Sequence, residues 1–248
     1  MVVSIIIPAY NSGKYLIAAV DSALGQTWQD LEVIIIDDNS SDNTWDIAGG
    51  YAEMDSRVVR IKNPKNLGVA RSRNKGMAAA KGEFIAFLDS DDVWEEDKLE
   101  RQIRQMQAKN LELCYTAYSF IDENGKPLGK VYNVPQNLTF DALIKENFIG
   151  CSTAVFSRRL AGKFSMRSEY MHEDYVFWLE ILGSNVRAGG INHPLVLYRK
   201  TVQGRSSNKV RAAGNRFEVY RKFLGMGSLK SIVYFALYAL RGIRKHYL

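Results

Sequence analysis

Three stretches of this chain share one pattern, a short run of branched apolar residues that stops abruptly at polar ones. They are Val3-Ser4-Ile5-Ile6-Ile7 before Pro8-Ala9-Tyr10-Asn11, Leu31 to Ile36 before Asp37-Asp38-Asn39-Ser40-Ser41, and Phe84 to Leu88 before Asp89-Ser90-Asp91-Asp92. Short, nearly continuous apolar runs bounded by turn residues read as buried strands, and Pro8 is expected to end the first. Between them, Tyr15, Leu16, Val20, Ala23 and Leu24 recur at helical spacing. A second helix is expected from about Thr44, capped by Asp42 or Asn43. Val58 to Ile61 reads as a strand, Arg71 to Ala80 as a short helix, Lys98 to Lys109 as another helix and Leu113 to Tyr118 as another strand. Strands alternating with helices predict an α/β domain with a mostly parallel sheet and helices on both faces. After Phe120 the alternation stops. Asp122-Glu123-Asn124-Gly125-Lys126-Pro127 reads as a turn between two strands.

Composition narrows the class. At 248 residues, 46% hydrophobic and 24% charged, the chain is ordinary globular protein, not collagen-like or disordered. Two cysteines, Cys114 and Cys151, cannot supply a disulfide framework or a four-thiolate zinc site, so both are expected to be buried thiols. The first residues do not form a basic segment followed by an apolar one, so no secretory signal is expected. The longest apolar run near the end, Ile232 to Leu240, is nine residues and too short to span a bilayer.

In an open parallel sheet, ligands bind beyond the carboxyl ends of the strands. The three polar clusters therefore gather one aromatic ring and up to five carboxylates at one edge. Asp89, Asp91 and Asp92, three carboxylates in four residues, repel one another unless a cation or hydrogen-bond donors neutralise them. A hard divalent cation that keeps positions open for phosphate oxygens suits them; a solvated acidic helix start is the plainer alternative. Asn66-Leu67-Gly68-Val69-Ala70-Arg71-Ser72-Arg73-Asn74-Lys75 places basic residues at a helix start, which favours phosphate. Neither the dinucleotide nor the P-loop glycine fingerprint is present. Glu173-Asp174 stands just before the apolar, aromatic run Tyr175 to Trp178, where partial desolvation would raise carboxylate basicity and suit a general base. An ordinary acidic helix N-terminus explains the same residues.

Taken together and in this order, Ser4 to Asn11, Ile36 to Asp42, Asn66-Leu67-Gly68 through Arg71, Phe87 to Asp92, and Glu173-Asp174 with Trp178 resemble the family 2 glycosyltransferases of the GT-A fold, over roughly residues 3 to 200. The resemblance implies a GT-A-like single domain with a Rossmann-like sheet over residues 1–205, its nucleotide-binding half about 1–120 and its acceptor-binding half 121–205. It implies metal-dependent, inverting transfer of a sugar from a nucleotide donor, usually linked to uridine diphosphate, to a glycan or lipid-linked acceptor, in surface polysaccharide biosynthesis. On this chain Pro8 and Tyr10 would flank the base, with Asn11 in the same loop. Asp38 would hydrogen-bond the base, and Gly68 and Arg71 would lie near the nucleotide. Asp89 would contact the ribose, Asp91 would hold Mn2+ or Mg2+, with Asp89 and Asp92 as further candidate ligands, and Asp174 would be the catalytic base with Glu173 beside it. The Gln-x-x-Arg-Trp of processive members is missing, which implies one sugar per encounter. A histidine found in many relatives after the Tyr198-Arg199 pair is also missing, and Arg205 is the candidate to face the diphosphate instead. A sugar-phosphate nucleotidyltransferase is the alternative enzyme class, disfavoured because Ala9 to Lys14 holds a single glycine. A non-catalytic binding protein is the third reading.

Charge is uneven. Residues 199–248 hold twelve Lys and Arg against one acid, Glu218, a net +11; the preceding 198 residues hold 21 basic and 26 acidic residues, a net −5. Two helical segments are expected in this 206–248 extension, near Ala212–Leu224 and Leu229–Lys245. The asymmetry calls for an anionic partner. The apolar residues of the second segment favour an anionic membrane surface over nucleic acid, hence a cytoplasmic protein held peripherally on the inner membrane face. Packing on the domain, or in a homodimer, is the alternative.

Overall fold

The structure is a computed structural model that describes residues 1–201 and 209–247. Within them, nine strands make one sheet: β1 Val3–Ala9, β2 Leu31–Asp37, β3 Val58–Lys62, β4 Phe84–Phe87, β5 Val93–Trp94, β6 Leu113–Ile121, β7 Pro127–Tyr132, β8 Val155–Ser157 and β9 Ala188–Arg199. Their order is β3-β2-β1-β4-β8-β6-β9-β5, with β7 paired to β6. The first four strands in that order are parallel, as the alternating pattern predicts. Beyond β4 the sheet becomes mixed, because the short β8 inserts antiparallel to both β4 and β6. The 122–127 turn joins β6 and β7 as an antiparallel hairpin.

Pro8 does not end β1. It pairs in register with Ile36 of β2. Pairing to β4 stops at Ile6, whose carbonyl takes the Leu88 N–H at 3.0 Å. Pro8, two residues on, points the same way past the end of β4, so its missing N–H has no ladder partner to lose.

The alternation of side chains along the strands builds two cores. Ile5, Ile7, Val33 and Ile35 face helices α1 (Leu16–Leu24), α2 (Thr44–Met54) and α4 (Lys98–Lys109). Ile6, Ile34, Ile36, Ile85 and Phe87 face α3 (Val69–Ala79), α5 (Phe140–Lys145), α6 (Arg158–Ala161) and α7 (Glu173–Gly183). Helices on both faces explain why the β1 and β2 runs are nearly continuous in apolar residues, broken by Ser4 and Glu32, which bond to each other at 2.6 Å. The α2 start is held by Asp42, whose carboxylate accepts the Thr44 N–H at 3.0 Å.

The extension packs on the second core. α8 (Lys209–Glu218) runs through a π turn, Val219–Phe223, toward α9 (Ser228–Tyr247). Val219 and Tyr220 are buried, Tyr234 and Phe235 pack against the same core, and the Tyr220 hydroxyl donates to the Ile144 carbonyl at 2.9 Å. The boundary expected at 205/206, and Arg205 itself, lie outside the described residues.

One buried group is out of keeping with its surroundings. Lys98, at the start of α4, is fully buried. Its ammonium lies 3.9 Å from the Trp94 ring centroid and donates to Gln102 Oε1 at 2.7 Å. Burial lowers its pKa to about 7, against a smaller opposing effect of the Cys114 thiol. Below pH 7 folded and unfolded chains both carry the charge. Between about 7 and the unfolded lysine's value near 10.4, the unfolded chain holds the extra proton, so stability rises with pH by up to about 1.4 kcal/mol per unit. Lys98→Met should remove that slope from denaturant-measured stability between pH 7 and 10; an unchanged slope contradicts a neutralised Lys98.

Candidate active site

The carboxyl ends of β1, β2 and β4 bring their polar loops together. Asn11, at a φ of 49°, donates its backbone N–H to Ser40 Oγ at 2.9 Å and accepts the Ser41 N–H on Oδ1 at 2.9 Å. A left-handed residue of this kind suits Asn. The Ser12 and Ser90 hydroxyls lie 2.7 Å apart, tying the β1 loop to the acidic loop. Pro8 is buried inside β1, whereas Tyr10, at its end, is 51% exposed.

Asp38 is buried and fully engaged. Oδ1 accepts from Asn63 Nδ2 at 2.7 Å and Leu67 N at 2.8 Å, and Oδ2 accepts from Gly68 N at 2.7 Å. These bonds fix the loop before α3. Gly68 sits there at a φ of 85°, a conformation that favours glycine. The helix begins at Val69, two residues before the expected Arg71.

The acidic loop divides its charge among distinct partners. Asp92 is buried, and each oxygen takes an internal donor: Ser152 Oγ at 2.6 Å and the Arg199 N–H at 3.0 Å. It therefore anchors the loop, a different job from the metal ligation expected of it. Ser152, in the turn Cys151–Thr153, also accepts the Asp89 N–H at 3.1 Å. Arg199 donates from Nε to the Asp91 carbonyl at 2.8 Å and from a terminal nitrogen to the Asp122 carbonyl at 3.1 Å. Asp89 forms an ion pair with Arg73. Asp91 is left: burial, with the Asp89 carboxylate beside it, pushes it up to about 6 against the pull of Arg199 and Arg73.

No three His, Cys, Asp or Glu side chains converge on a metal position among the described residues. The donor set still fits a divalent cation. Mg2+ and Mn2+ are held by one or two carboxylates with substrate phosphates completing the shell, and Asp91 is a hard oxygen donor whose neighbours favour neutralisation of its charge.

Across the loop stands α7. Its first residues are Glu173 and Asp174, a pair of acids in the first turn. Glu173 is buried and accepts from Arg73 Nη1 at 3.0 Å. Asp174 is half-buried, with no ion-pair partner among the described residues. Burial and then the Glu173 charge raise its pKa, opposed by Arg73 and His172. Phe177 and Trp178 fix the helix by packing on Phe87 of β4, both with ring centroids 6.3 Å away. Cys114 and Cys151 are free and buried, and burial holds the Cys151 thiol well above its usual range.

Arg73 was the residue that motif order passed over in favour of Arg71. Helical spacing marks it: Ala70, Arg73 and Met77 lie at i, i+3 and i+7, one buried stripe of α3, while Arg71 falls on the exposed side. Ser152 carries no comparable sequence signal, since its role depends on a turn 60 residues from Asp92.

The α/β sheet thus sets an acidic loop at the β4 end opposite a carboxylate pair on the facing helix. Residues 4–165 match the sequence profile described as Glycosyl transferase family 2. The chain belongs to that family. It is 37% identical over 243 residues to Bacillus subtilis (strain 168) TuaG, a glycosyltransferase named provisionally for teichuronic acid biosynthesis, covering 98% of this chain and 96% of that one. It is 37% identical over 245 residues to Escherichia coli WfaP, named UDP-Glc:alpha-D-GlcNAc-diphosphoundecaprenol beta-1,3-glucosyltransferase, covering 98% and 95%. The structure of S. aureus TarS 1-349 in complex with UDP-GlcNAc shares the fold, at a TM-score of 0.76 and 20% identity over 98% of this chain and 73% of that one. The fold is GT-A and the activity is that of a glycosyltransferase, which sets aside the nucleotidyltransferase and binding-protein readings.

Ser152→Ala should destabilise the chain by about 1–3 kcal/mol in a urea titration, because the buried Asp92 side chain loses a hydrogen-bond donor. Stability within about 0.5 kcal/mol of the parent would contradict the anchoring role of Asp92.

Proposed function

We propose that this glycosyltransferase moves one sugar from a UDP-linked donor to a hydroxyl of a lipid-linked saccharide, with inversion, during surface polysaccharide assembly. One observation carries the reading: a single guanidinium, Arg73, touches both the Asp89 loop and the Glu173-Asp174 helix end, so donor residues and base share one cleft. The names of relatives such as WfaP, and of TarS with its UDP-GlcNAc, support the donor and acceptor classes.

In this reading Tyr10 covers the uracil, Asp38 and Gly68 shape its edge, Asp89 meets the ribose, and Arg71 adds positive charge near the nucleotide. Asn11 holds the loop. Asp91 would hold Mn2+ or Mg2+, which, when bound, offsets charge on the departing diphosphate; a Mn2+-bound structural neighbour from Pyrobaculum calidifontis is consistent with this. Asp174 takes the proton of the acceptor hydroxyl as that oxygen bonds to the anomeric carbon. The bond from that carbon to the diphosphate oxygen breaks with its electron pair going to UDP, and attack from the opposite face inverts the configuration. A raised pKa suits Asp174 to this, since proton transfer is most effective from a base matched to the working pH.

Asp174→Asn should lower kcat by roughly 100-fold or more with UDP binding retained. Asp91→Asn should abolish turnover and weaken Mn2+-dependent UDP binding. Full rate in either variant overturns its assignment, and loss of rate in Glu173→Gln alone would move the base to Glu173.

The α9 helix supports placement on an anionic membrane. Its inner side is packed, but Leu229, Ile232, Val233 and Leu237 are exposed on a segment rich in Lys and Arg. No helix among the described residues is long and apolar enough to cross a membrane. Because Tyr234 and Phe235 belong to the core, point changes are a cleaner test than truncation. Ile232→Ser with Val233→Ser should release the protein from phosphatidylglycerol vesicles in co-sedimentation without changing its thermal midpoint, and salt should weaken parent binding. Equal sedimentation of parent and variant would contradict membrane docking through this face.

A further inference from the structure

Arg199, the last residue of β9, is 7% exposed and stands beside the acidic loop. Its backbone N–H holds Asp92, and its side chain reaches further. Nε donates to the Asp91 carbonyl at 2.8 Å. A terminal nitrogen donates to the carbonyls of Asp122 at 3.1 Å and Glu123 at 3.4 Å, in the turn between β6 and β7. The guanidinium carbon lies 4.8 Å from the ring centroid of Tyr15, at the entry to α1. The acidic loop, the β6–β7 turn and the start of α1, far apart in the chain, therefore meet on one side chain. The turn is itself firm, because Asp122 Oδ1 accepts the Asn124 and Lys126 N–H groups at 2.9 Å each.

Arg73 gives its guanidinium to the Asp89 and Glu173 carboxylates. Arg199 is close enough to Asp91 to lower its pKa, yet among the described residues its side-chain bonds end on main-chain carbonyls and it forms no ion pair. The difference decides what Asp91 can do. A guanidinium paired with the Asp91 carboxylate would neutralise it and compete with a cation for its oxygens. A guanidinium on the Asp91 carbonyl fixes the main chain of that residue and leaves the carboxylate out of the pair. Nε and the terminal nitrogen lie at separate points of a rigid planar fork, so together they span two segments; a lysine carries all its donors on one nitrogen. We propose that Arg199 is a positioning residue for the cation: it rivets the Asp91 main chain to the β6–β7 turn, so that the Asp91 carboxylate is presented to Mn2+ or Mg2+ without being taken by a protein cation. The proposal rests on the reading of Asp91 as the ligand and adds a residue that acts through it, without touching the ion or the nucleotide.

The test is UDP binding by calorimetry, in Mn2+ and in EDTA, with circular dichroism to confirm folding. Arg199→Lys keeps the charge and loses the fork. It should cut the Mn2+-dependent gain in UDP affinity at least fivefold and change affinity in EDTA less than twofold. Arg199→Gln, which lacks the charge as well, should cut the gain at least as far. A role in folding alone would lower the thermal midpoint and leave the ratio of the two affinities at the parent value. That parent ratio in folded Arg199→Lys, whether or not both affinities fall, would overturn the proposal. If neither variant folds, crystal structures of the parent with UDP, with and without Mn2+, decide the matter. The bond from Arg199 Nε to the Asp91 carbonyl should stay within about 3.2 Å in both; a released carbonyl, or a guanidinium moved onto the Asp91 carboxylate when the ion is bound, would overturn the proposal. If Asp91→Asn keeps the full Mn2+ gain, the reading of Asp91 fails instead; if Asp91→Asn loses it while Arg199→Lys keeps it, only this proposal fails.

Discussion

The cleft collects carboxylates, and like charges at close range in a partly dry site are unfavourable unless each finds a partner. Asp89 has Arg73, Glu173 has the other arm of the same guanidinium, and Asp92 has Ser152 and the Arg199 amide. Asp91 in the acidic loop and Asp174 at the helix start have no ion-pair partner among the described residues, although Asp174 accepts the Tyr175 N–H at 2.8 Å, and burial holds Asp91, Asp92 and Asp174 all above the usual range. The neutralised members build the scaffold. Under the proposed reading, Asp91 would meet a cation and Asp174 a proton.

The sheet makes this arrangement rigid. β1, β2 and β4 end at one edge because they are parallel and nearly in register. The same Phe87 whose strand carries Asp89 packs on Phe177 and Trp178 of the helix that carries Asp174. Side chains locked by packing and by a second layer of hydrogen bonds hold reacting groups more closely than loops alone can. The antiparallel β8 contributes here too, because the turn that supplies Ser152 leads directly into it.

The strands, the helices between them and the clustering of the three polar loops were legible from apolar runs and their terminators, since both are local signals. The role of Asp92 was not. Its neighbours in sequence suggest a third ligand, but its burial depends on Ser152 and on the return of β9, contacts made 60 and 107 residues away. Arg73 and Arg71 differ by two positions, and motif order singled out the exposed one; the buried stripe of Ala70 and Met77 marks Arg73 as the one that reaches inward. The two helical segments expected in the extension are present, and between the two alternatives, membrane binding or packing on the domain, the sequence pattern could not choose because the same apolar residues serve both. The structure has Val219 and Tyr220 in the core and Ile232 and Val233 outside.

The central claim is that Asp91 takes the cation while Asp92 stays in the scaffold. A crystal structure with UDP and Mn2+ tests it directly. The expected result is an Asp91 oxygen about 2.0–2.3 Å from the ion, with diphosphate oxygens completing the shell, and Asp92 still accepting from Ser152 and the Arg199 amide. An ion bound by Asp92 turned out of its pocket, or UDP seated away from Tyr10 and the acidic loop, would contradict the account.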